Sequence, residues 1–195
     1  GDKSTGKAPE FAVITVETTT ANLTNSYPAT IKGKQDVEIR PMVSGFITKL
    51  HVDEGSVVRK GQVLFSIDPV QYQAAVNSAK AAVETAKAAV NTQELTVSNK
   101  RTLNQKNIIS DYDLQMAENQ LAQTKAQLAQ AEAQLVNAKN NLSYTSVTSP
   151  SDGIVGTIPY RVGSLVSPSM STPLTTVADI SEMFAYFSMT ERQLL

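Results

Sequence analysis

The single histidine of the chain, His51, is the residue whose type most readily supports acid–base chemistry near neutral pH. It lies in an alternating stretch that places Leu50 and Val52 on one face of a predicted strand and Lys49 and His51 on the other. A catalytic histidine needs a nucleophile and an orienting group within reach, and the neighbouring sequence indicates neither. We therefore predict a solvated histidine on a strand face and a protein that is not an enzyme.

The content of cysteine, histidine and methionine excludes most metal and redox sites. With no cysteine among 195 residues, the chain lacks disulfides, thiolate zinc sites and iron–sulfur ligands, and one histidine excludes the usual multi-histidine sites. The five methionines, at 42, 116, 170, 183 and 189, do not form the local cluster that soft-metal binding requires. We predict no metal site and no cofactor.

The charge balance and the hydropathy of the sequence indicate which partners and which class of protein to expect. Lys and Arg together number 17 against 18 Asp and Glu, which gives no electrostatic reason to expect a nucleic-acid partner. The hydrophobic fraction of 41% is typical of a globular domain. No apolar run approaches the ~20 residues of a membrane-spanning helix, and we expect no signal peptide within this sequence.

Glycine and proline mark out the elements that must position any site. All eight prolines and all nine glycines lie outside the interval between Pro69 and Pro150. Relative to Ala, Gly costs a helix interior about 1 kcal/mol and Pro about 3 kcal/mol, so their joint absence favours a long helical segment. Short runs of Val, Ile, Thr and Phe on both sides, separated by turn residues, predict strands.

Heptad repeats inside this segment predict two helices that pack on each other. Each repeat combines one row of large residues with one row of mostly small ones. The large residues are Val76, Val83, Val90 and Val97 in the upstream repeat, and Leu114, Leu121, Leu128, Leu135 and Leu142 in the downstream repeat. Asp68-Pro69 predicts one helix start, and Ser110 with an acid three residues later predicts the other. We expect helices at about 69–104 and 111–142, joined by a short turn into an antiparallel hairpin on the order of 50 Å long.

A repeat at a fixed offset joins the two flanks of the hairpin. The pattern of residues 41–58 reappears 108 residues later, in 149–166. A looser similarity links 63–68 to 173–179. Two similar strand–turn–strand halves on either side of a helical hairpin predict one pseudo-symmetric β module with the hairpin inserted between its halves.

The residues at 43–68 resemble the first half of a biotinyl/lipoyl-type β-sandwich, in the pattern Val-Ser-Gly-Phe-Ile…Val-Asp-Glu-Gly-Ser-Val-Val-Arg-Lys-Gly-Gln-Val-Leu-Phe-Ser-Ile-Asp. The second half-module carries Ser-Pro-Ser-Asp-Gly-Ile-Val-Gly at 149–156. The order of half-module, helical hairpin and half-module is similar to that of the periplasmic adaptors, or membrane fusion proteins, of bacterial tripartite efflux pumps. This resemblance implies an α+β fold, in which a lipoyl-like β-sandwich is split by a long antiparallel coiled-coil hairpin and followed by the start of an incomplete β-barrel.

The expected domains follow the same order along the chain. They are a flexible segment at 1–10, partial β-barrel strands at 11–36 and 180–195, sandwich halves at 37–68 and 143–179, and the helical hairpin at 69–142. The predicted barrel strand near the end of the sequence has no partner for its backbone groups. We therefore expect this chain to be a fragment of a longer protein.

The resemblance also nominates individual residues. In such adaptors the hairpin tip resembles Arg-x3-Leu-x6-Ser and contacts an outer-membrane channel. Leu103 and Ser110 fit the last two positions, whereas the Arg position falls on Asn99, with Arg101 nearby as a substitute. Helix capping is the other role open to Ser110, and packing in the seam is the other role open to Leu103. The glycines of the sandwich are predicted to lie in turns: Gly45, Gly55, Gly61, Gly153 and Gly163.

The function implied by the resemblance is that of a non-enzymatic adaptor. It would link an inner-membrane transporter of the resistance-nodulation-division (RND) type to an outer-membrane TolC-like channel for multidrug export. The same resemblance implies self-association into a ring of six, and a periplasmic location with attachment to the inner membrane. An adaptor of an ABC or MFS exporter, or of a metal-efflux system, is the alternative within this fold class. A lipoyl or biotinyl carrier domain is disfavoured because the hairpin occupies the place of the turn that holds the acceptor lysine.

Overall fold

The computed structural model describes residues 36–179. The elements in chain order are β1 (Asp36–Ile39), β2 (Gly45–Leu50), β3 (Val57–Val58), β4 (Val63–Ile67), α1 (Val70–Gln105), α2 (Asp111–Ser143), β5 (Ser146–Thr148), β6 (Gly153–Val155), β7 (Leu165–Val166) and β8 (Thr175–Ala178). The segment predicted at 1–10 and the barrel strands predicted at 11–36 and 180–195 lie outside the described residues, apart from Asp36 in β1.

The strands of this range form two four-stranded antiparallel sheets that share one core. The strand order is β1-β8-β6-β3 in the first sheet and β5-β4-β2-β7 in the second. Strands β3 and β7 lie 108 residues apart, as do the first residues of β2 and β6. The second sheet therefore repeats the first, with β5, β4, β2 and β7 in the places of β1, β8, β6 and β3. Each sheet takes two strands from each half of the duplication, so neither half completes a sheet alone.

Backbone hydrogen bonds between the halves repeat with the same offset. The amide of Gly55 donates to the carbonyl of Val155 at 2.8 Å, and the amide of Gly163 donates to the carbonyl of Ile47 at 2.7 Å. Each of these bonds ties a turn of one half to a strand of the other. The predicted pseudo-symmetric module is confirmed, and its two halves interlock rather than lying side by side.

The core of the module lies between the two sheets. Alternation along each strand turns every second side chain inward, so that Ile47 is 1% exposed while its neighbour Phe46 points outward. The most deeply buried apolar side chains come from both halves: Ile47, Val58, Leu64, Phe65, Ile67, Val155, Val166, Leu174 and Val177. Full burial of such a side chain contributes about 1.5–3 kcal/mol, which makes this core the main stabilising feature of the module.

The five predicted turn glycines fall into two groups. Gly55, Gly61 and Gly163 have positive φ angles of 85°, 86° and 96° and lie in turns, as predicted. The prediction is wrong for Gly45 and Gly153, which begin strands β2 and β6. Glycine is required there by close packing, because a Cβ atom at Gly45 would come within 2.6 Å of a methyl of Ile67, and one at Gly153 would overlap the carbonyl oxygen of Ala178.

The two ends of the helical hairpin are held by neighbouring strands. Strand β4 leads into α1, strand β5 follows α2, and these two strands pair. At the junction, the amide of Ile67 donates to the carbonyl of Thr145 at 2.7 Å. Helix α1 begins at Val70, one residue later than predicted, because Pro69 is its N-cap and the Asp68 carboxylate accepts the Val70 amide at 3.1 Å.

The seam between the helices confirms the predicted hairpin and changes one detail. Helices α1 and α2 have 36 and 33 residues, which corresponds to about 50 Å each at ~1.5 Å per residue. Val76, Val83, Val90 and Val97 are buried in α1, as are the small residues Ala117, Thr124 and Ala138 in α2. The heptad leucines of α2 are only half-buried, so they line the edge of the seam rather than its centre.

Candidate functional site

The end of helix α1 is a Schellman motif that fixes the shape of the hairpin tip. Asn107 adopts a left-handed conformation with a φ angle of 59°. The amide of Ile108 donates to the carbonyl of Leu103, and the amide of Asn107 donates to the carbonyl of Asn104, both at 2.9 Å. Asparagine suits this position because, after glycine, it is among the residues that best tolerate the left-handed region.

The start of helix α2 is capped from both sides of the turn. The Ser110 hydroxyl accepts the amide of Asp113 at 3.2 Å, which is the predicted N-cap. The Asn104 side-chain amide reaches across the turn and donates to the Asp111 carboxylate at 2.8 Å and to the carbonyl of Ile109 at 3.2 Å. The two helix ends are therefore joined by side-chain bonds as well as by the turn itself.

The structure brings two of the four predicted tip residues to the tip. Leu103 is half-buried in the last turn of α1, and Ser110 is exposed at the start of α2. Asn99 is exposed but lies six residues before the end of α1, which is about 9 Å down the shaft. Arg101 is engaged with α2, where its Nη2 atom lies 3.7 Å from a carboxylate oxygen of Glu118.

Two exposed apolar residues at the tip, and a third five residues into α2, are missing from the predicted set. Ile108, Tyr112 and Met116 are 63%, 70% and 53% exposed. Tyr112 and Met116 are four residues apart in α2 and so lie on one face of the helix. The sequence does contain a signal for Tyr112 and Met116, because they are large apolar residues that lie outside the heptad rows of α2 and cannot enter the seam. Leu103, Ile108 and Tyr112 place apolar side chains on both sides of the turn at the tip, in addition to the exposed Leu95 and Val136 of the shaft.

The residues that could have supported other chemistry lie elsewhere. His51 is exposed, and its Nε2 atom is 2.7 Å from the hydroxyl of Ser66 on the neighbouring strand. Within residues 36–179, no three His, Cys, Asp or Glu side chains come together in a way that could hold a metal ion. Neither helix of the described range combines the length and the apolar character needed to cross a membrane.

Comparison with known proteins assigns this architecture to a family. Residues 35–178 match the model described as the barrel-sandwich hybrid domain of RND membrane fusion proteins. The chain is 31% identical to the multidrug resistance protein MdtE of Escherichia coli K12 over 187 residues, which covers 94% of the chain and 49% of MdtE. It is 35% identical to the multidrug efflux pump subunit AcrA of the same strain over 178 residues, covering 90% of the chain and 44% of AcrA.

A solved structure shares the fold. The crystal structure of MacA from Actinobacillus actinomycetemcomitans has a TM-score of 0.62 and 29% sequence identity, and the match covers 75% of this chain and 54% of that one. The chain spans about half the length of the relatives it matches. Since the family match takes in both sandwich halves and the whole hairpin, the chain belongs to the family of RND membrane fusion proteins, and residues 35–178 form its barrel-sandwich hybrid domain.

Proposed function

We propose that this protein is the periplasmic adaptor subunit of an RND-type tripartite efflux pump. The observation that carries the proposal is the hairpin, a two-helix arm about 50 Å long whose ends are fixed on paired strands and whose tip is ordered by caps. Such an arm can connect two partners that lie far apart, and this role requires no catalytic group. The family match and the efflux-pump names of MdtE and AcrA support the same function.

The proposed partners occupy opposite ends of the molecule. The β domains would contact the inner-membrane RND transporter, and the hairpin tip would contact a TolC-like channel in the outer membrane. We further propose that copies of the adaptor associate into a ring of six around the transport path, in the periplasm and attached to the inner membrane. The exported compounds are drugs of the kind that the multidrug names of MdtE and AcrA indicate.

The proposed channel contact is the apolar end of the hairpin. Leu103 and Ser110 lie at the two ends of the same turn, and Ile108 is exposed between them. Ser110 fulfils its capping role through the hydroxyl's bond to the Asp113 amide. Since Arg101 is paired with Glu118, we propose that the contact depends on apolar burial at Leu103 and Ile108 more than on a cation at the family's Arg position.

Substitution of Leu103 tests this contact. We expect Leu103→Asp to reduce drug resistance to the level of a strain that lacks the adaptor, because a carboxylate would be buried against an apolar partner. The readout is growth on graded drug concentrations in a deletion strain complemented with the full-length gene. Helix content by circular dichroism should remain unchanged, since Leu103 is only half-buried and lies in the last helical turn.

Leu95→Asp is the matched control on the same helix. Leu95 is 73% exposed and lies eight residues before Leu103, away from the tip. The control should retain resistance because it introduces the same charge at a position that the proposed contact does not use. Full resistance from Leu103→Asp, or equal loss from both variants, would contradict docking through the tip.

A further inference from the structure

One tyrosine of helix α1 connects the hairpin to the sandwich through its side chain. Tyr72 is the third residue of α1, is half-buried, and packs against the core of the sandwich. Its hydroxyl donates to the carbonyl of Ser44, which lies 28 residues earlier and directly before β2. Among the residues that the structure describes, Tyr72 is the one helix residue whose side chain forms a hydrogen bond with the sandwich.

The backbone is held firmly up to the start of α1 but not along its first turn. The amide of Asp68 donates to the carbonyl of Phe46 at 2.9 Å, and the Asp68 carboxylate accepts the amide of Val70. The first turn then borders an open cavity of about 420 Å³, whose lining includes Val70 of α1 and Phe46 and Leu165 of the second sheet. Because this side of the turn faces open space, packing does not hold it against the second sheet, and the hydroxyl of Tyr72 supplies the contact that does.

The other end of the hairpin has no equivalent bond. Tyr144 is the C-cap residue of α2 and is 36% exposed. Its backbone amide donates to the carbonyl of Asn140 at 3.1 Å, within the end of the helix, and its hydroxyl has no hydrogen bond within residues 36–179. Since the seam joins α2 to α1, the direction of α1 sets the direction of the whole hairpin.

The length of the hairpin amplifies any movement at its base. With an arm of about 50 Å, a rotation of about 10° at the base displaces the tip by about 9 Å. This displacement is close to the ~10 Å width of a helix with its side chains. A single contact near the base can therefore decide where the tip lies.

We propose that Tyr72 is a positioning residue, whose hydroxyl fixes the direction of the hairpin relative to the sandwich and thereby places the tip. The ring supplies packing, whereas the hydroxyl supplies direction, because a hydrogen bond forms only within narrow limits of distance and angle. When the bond to Ser44 breaks, the base of α1 can move into the adjoining cavity while the seam stays closed. The inference rests on the proposed function only for its consequence, which is the contact of the tip with a channel.

The experiment measures the distance between the tip and the sandwich in the purified protein. The absence of cysteine from all 195 residues makes introduced thiols unique in this sequence. Gln105→Cys at the tip is combined with Lys49→Cys in one sample and with Val57→Cys in another, and all three positions are exposed. Spin labels on the two thiols give the distance distribution by pulsed electron paramagnetic resonance. Lys49 and Val57 lie on different sheets, so movements in different directions are detected.

Two tyrosine variants are compared in both labelled samples. Tyr72→Phe keeps the ring and removes the hydroxyl. The loss of one net hydrogen bond should raise the population of displaced hairpins about fivefold and broaden the distance distributions. Tyr144→Phe is the matched control, because it removes a hydroxyl from the other end of the hairpin and should leave both distributions unchanged. Helix content by circular dichroism should be the same in all variants, since neither hydroxyl contributes to a backbone bond within a helix.

Unchanged distributions in Tyr72→Phe would overturn the proposal, and so would equal broadening in both tyrosine variants. The distances are measured without any partner, so their outcome is separate from tip docking. Broader distributions alongside full resistance from Leu103→Asp would retain the role of Tyr72 and reject the docking. Unchanged distributions alongside loss of resistance from Leu103→Asp would reject the role of Tyr72 and retain the docking.

Discussion

The side chain of Asn104 joins the two helices at the hairpin tip and offers a direct test of how the tip is held. It donates to the Asp111 carboxylate at 2.8 Å and to the Ile109 carbonyl at 3.2 Å. The Asn104→Ala variant removes both bonds and leaves the helices, the seam and the Schellman bonds in place. We expect the turn to open more often, while global stability stays unchanged because the main core lies at the other end of the hairpin.

The magnitude follows from the two lost bonds. A hydrogen bond contributes about 0.5–1.5 kcal/mol net, and bonds to charged groups contribute more when they are buried. Both bonds lie near the surface, so we assign about 1 kcal/mol to each and about 2 kcal/mol to the pair. Since every ~1.4 kcal/mol is a factor of ten, the open form of the turn becomes about 30-fold more populated.

Hydrogen exchange measured residue by residue reports this opening. The amides of Asn107 and Ile108, which donate to the end of α1, should exchange up to about 30-fold faster in Asn104→Ala. Asn104→Asp should exchange faster still, because a carboxylate would then face Asp111 without a donor between them. Asn99→Ala, an exposed change five residues earlier on the same helix, is the control. Unchanged exchange at both amides in Asn104→Ala would refute the claim that this side chain holds the tip closed.

Two further predictions concern stability measured by urea denaturation. Gly153→Ala should lower the free energy of unfolding by about 3 kcal/mol, because its methyl would overlap the Ala178 carbonyl and push β6 away from β8. Gly163→Ala has open space around it and a φ angle of 96°, so it should lower that free energy by only about 1 kcal/mol. Equal losses from the two variants would contradict the close-packing argument. In the hairpin, Val83→Ala should cost about 2 kcal/mol and Leu128→Ala about 1 kcal/mol, since the valine is buried and the leucine half-buried. A larger loss from Leu128→Ala would place the leucine row at the centre of the seam.

The helices could be predicted from the sequence almost to the residue. The interval without glycine or proline is far longer than a strand and carries heptad repeats, so it favours helix, and Ser110 marks the start of α2 by its capping chemistry. The first start was harder to place because Pro69 is acceptable both as an N-cap and as the first helical residue. Capping residues and helix breakers are sufficient to locate helix ends because their effects are limited to residues within about one helical turn.

Features that depend on contacts between distant residues could not be read in the same way. The repeat predicted two similar halves, but it did not reveal that each sheet is shared between them. Gly45 and Gly153 were expected in turns because glycine most often serves there, whereas their requirement comes from strands far away in sequence. At the tip, the motif led to Leu103 and Ser110, whereas the exposed apolar residues Tyr112 and Met116 are indicated only by their positions outside the heptad rows.

The pairing of β4 with β5 at the base of the hairpin also bears on how such proteins can vary in evolution. Because the hairpin leaves and re-enters the sandwich on two paired strands, the structure of the sandwich does not depend on the number of residues in the hairpin. Adding or removing seven residues in each helix would preserve the heptad seam and change the reach by about 10 Å. The length of the hairpin can therefore change in whole heptad steps without altering the module that carries it.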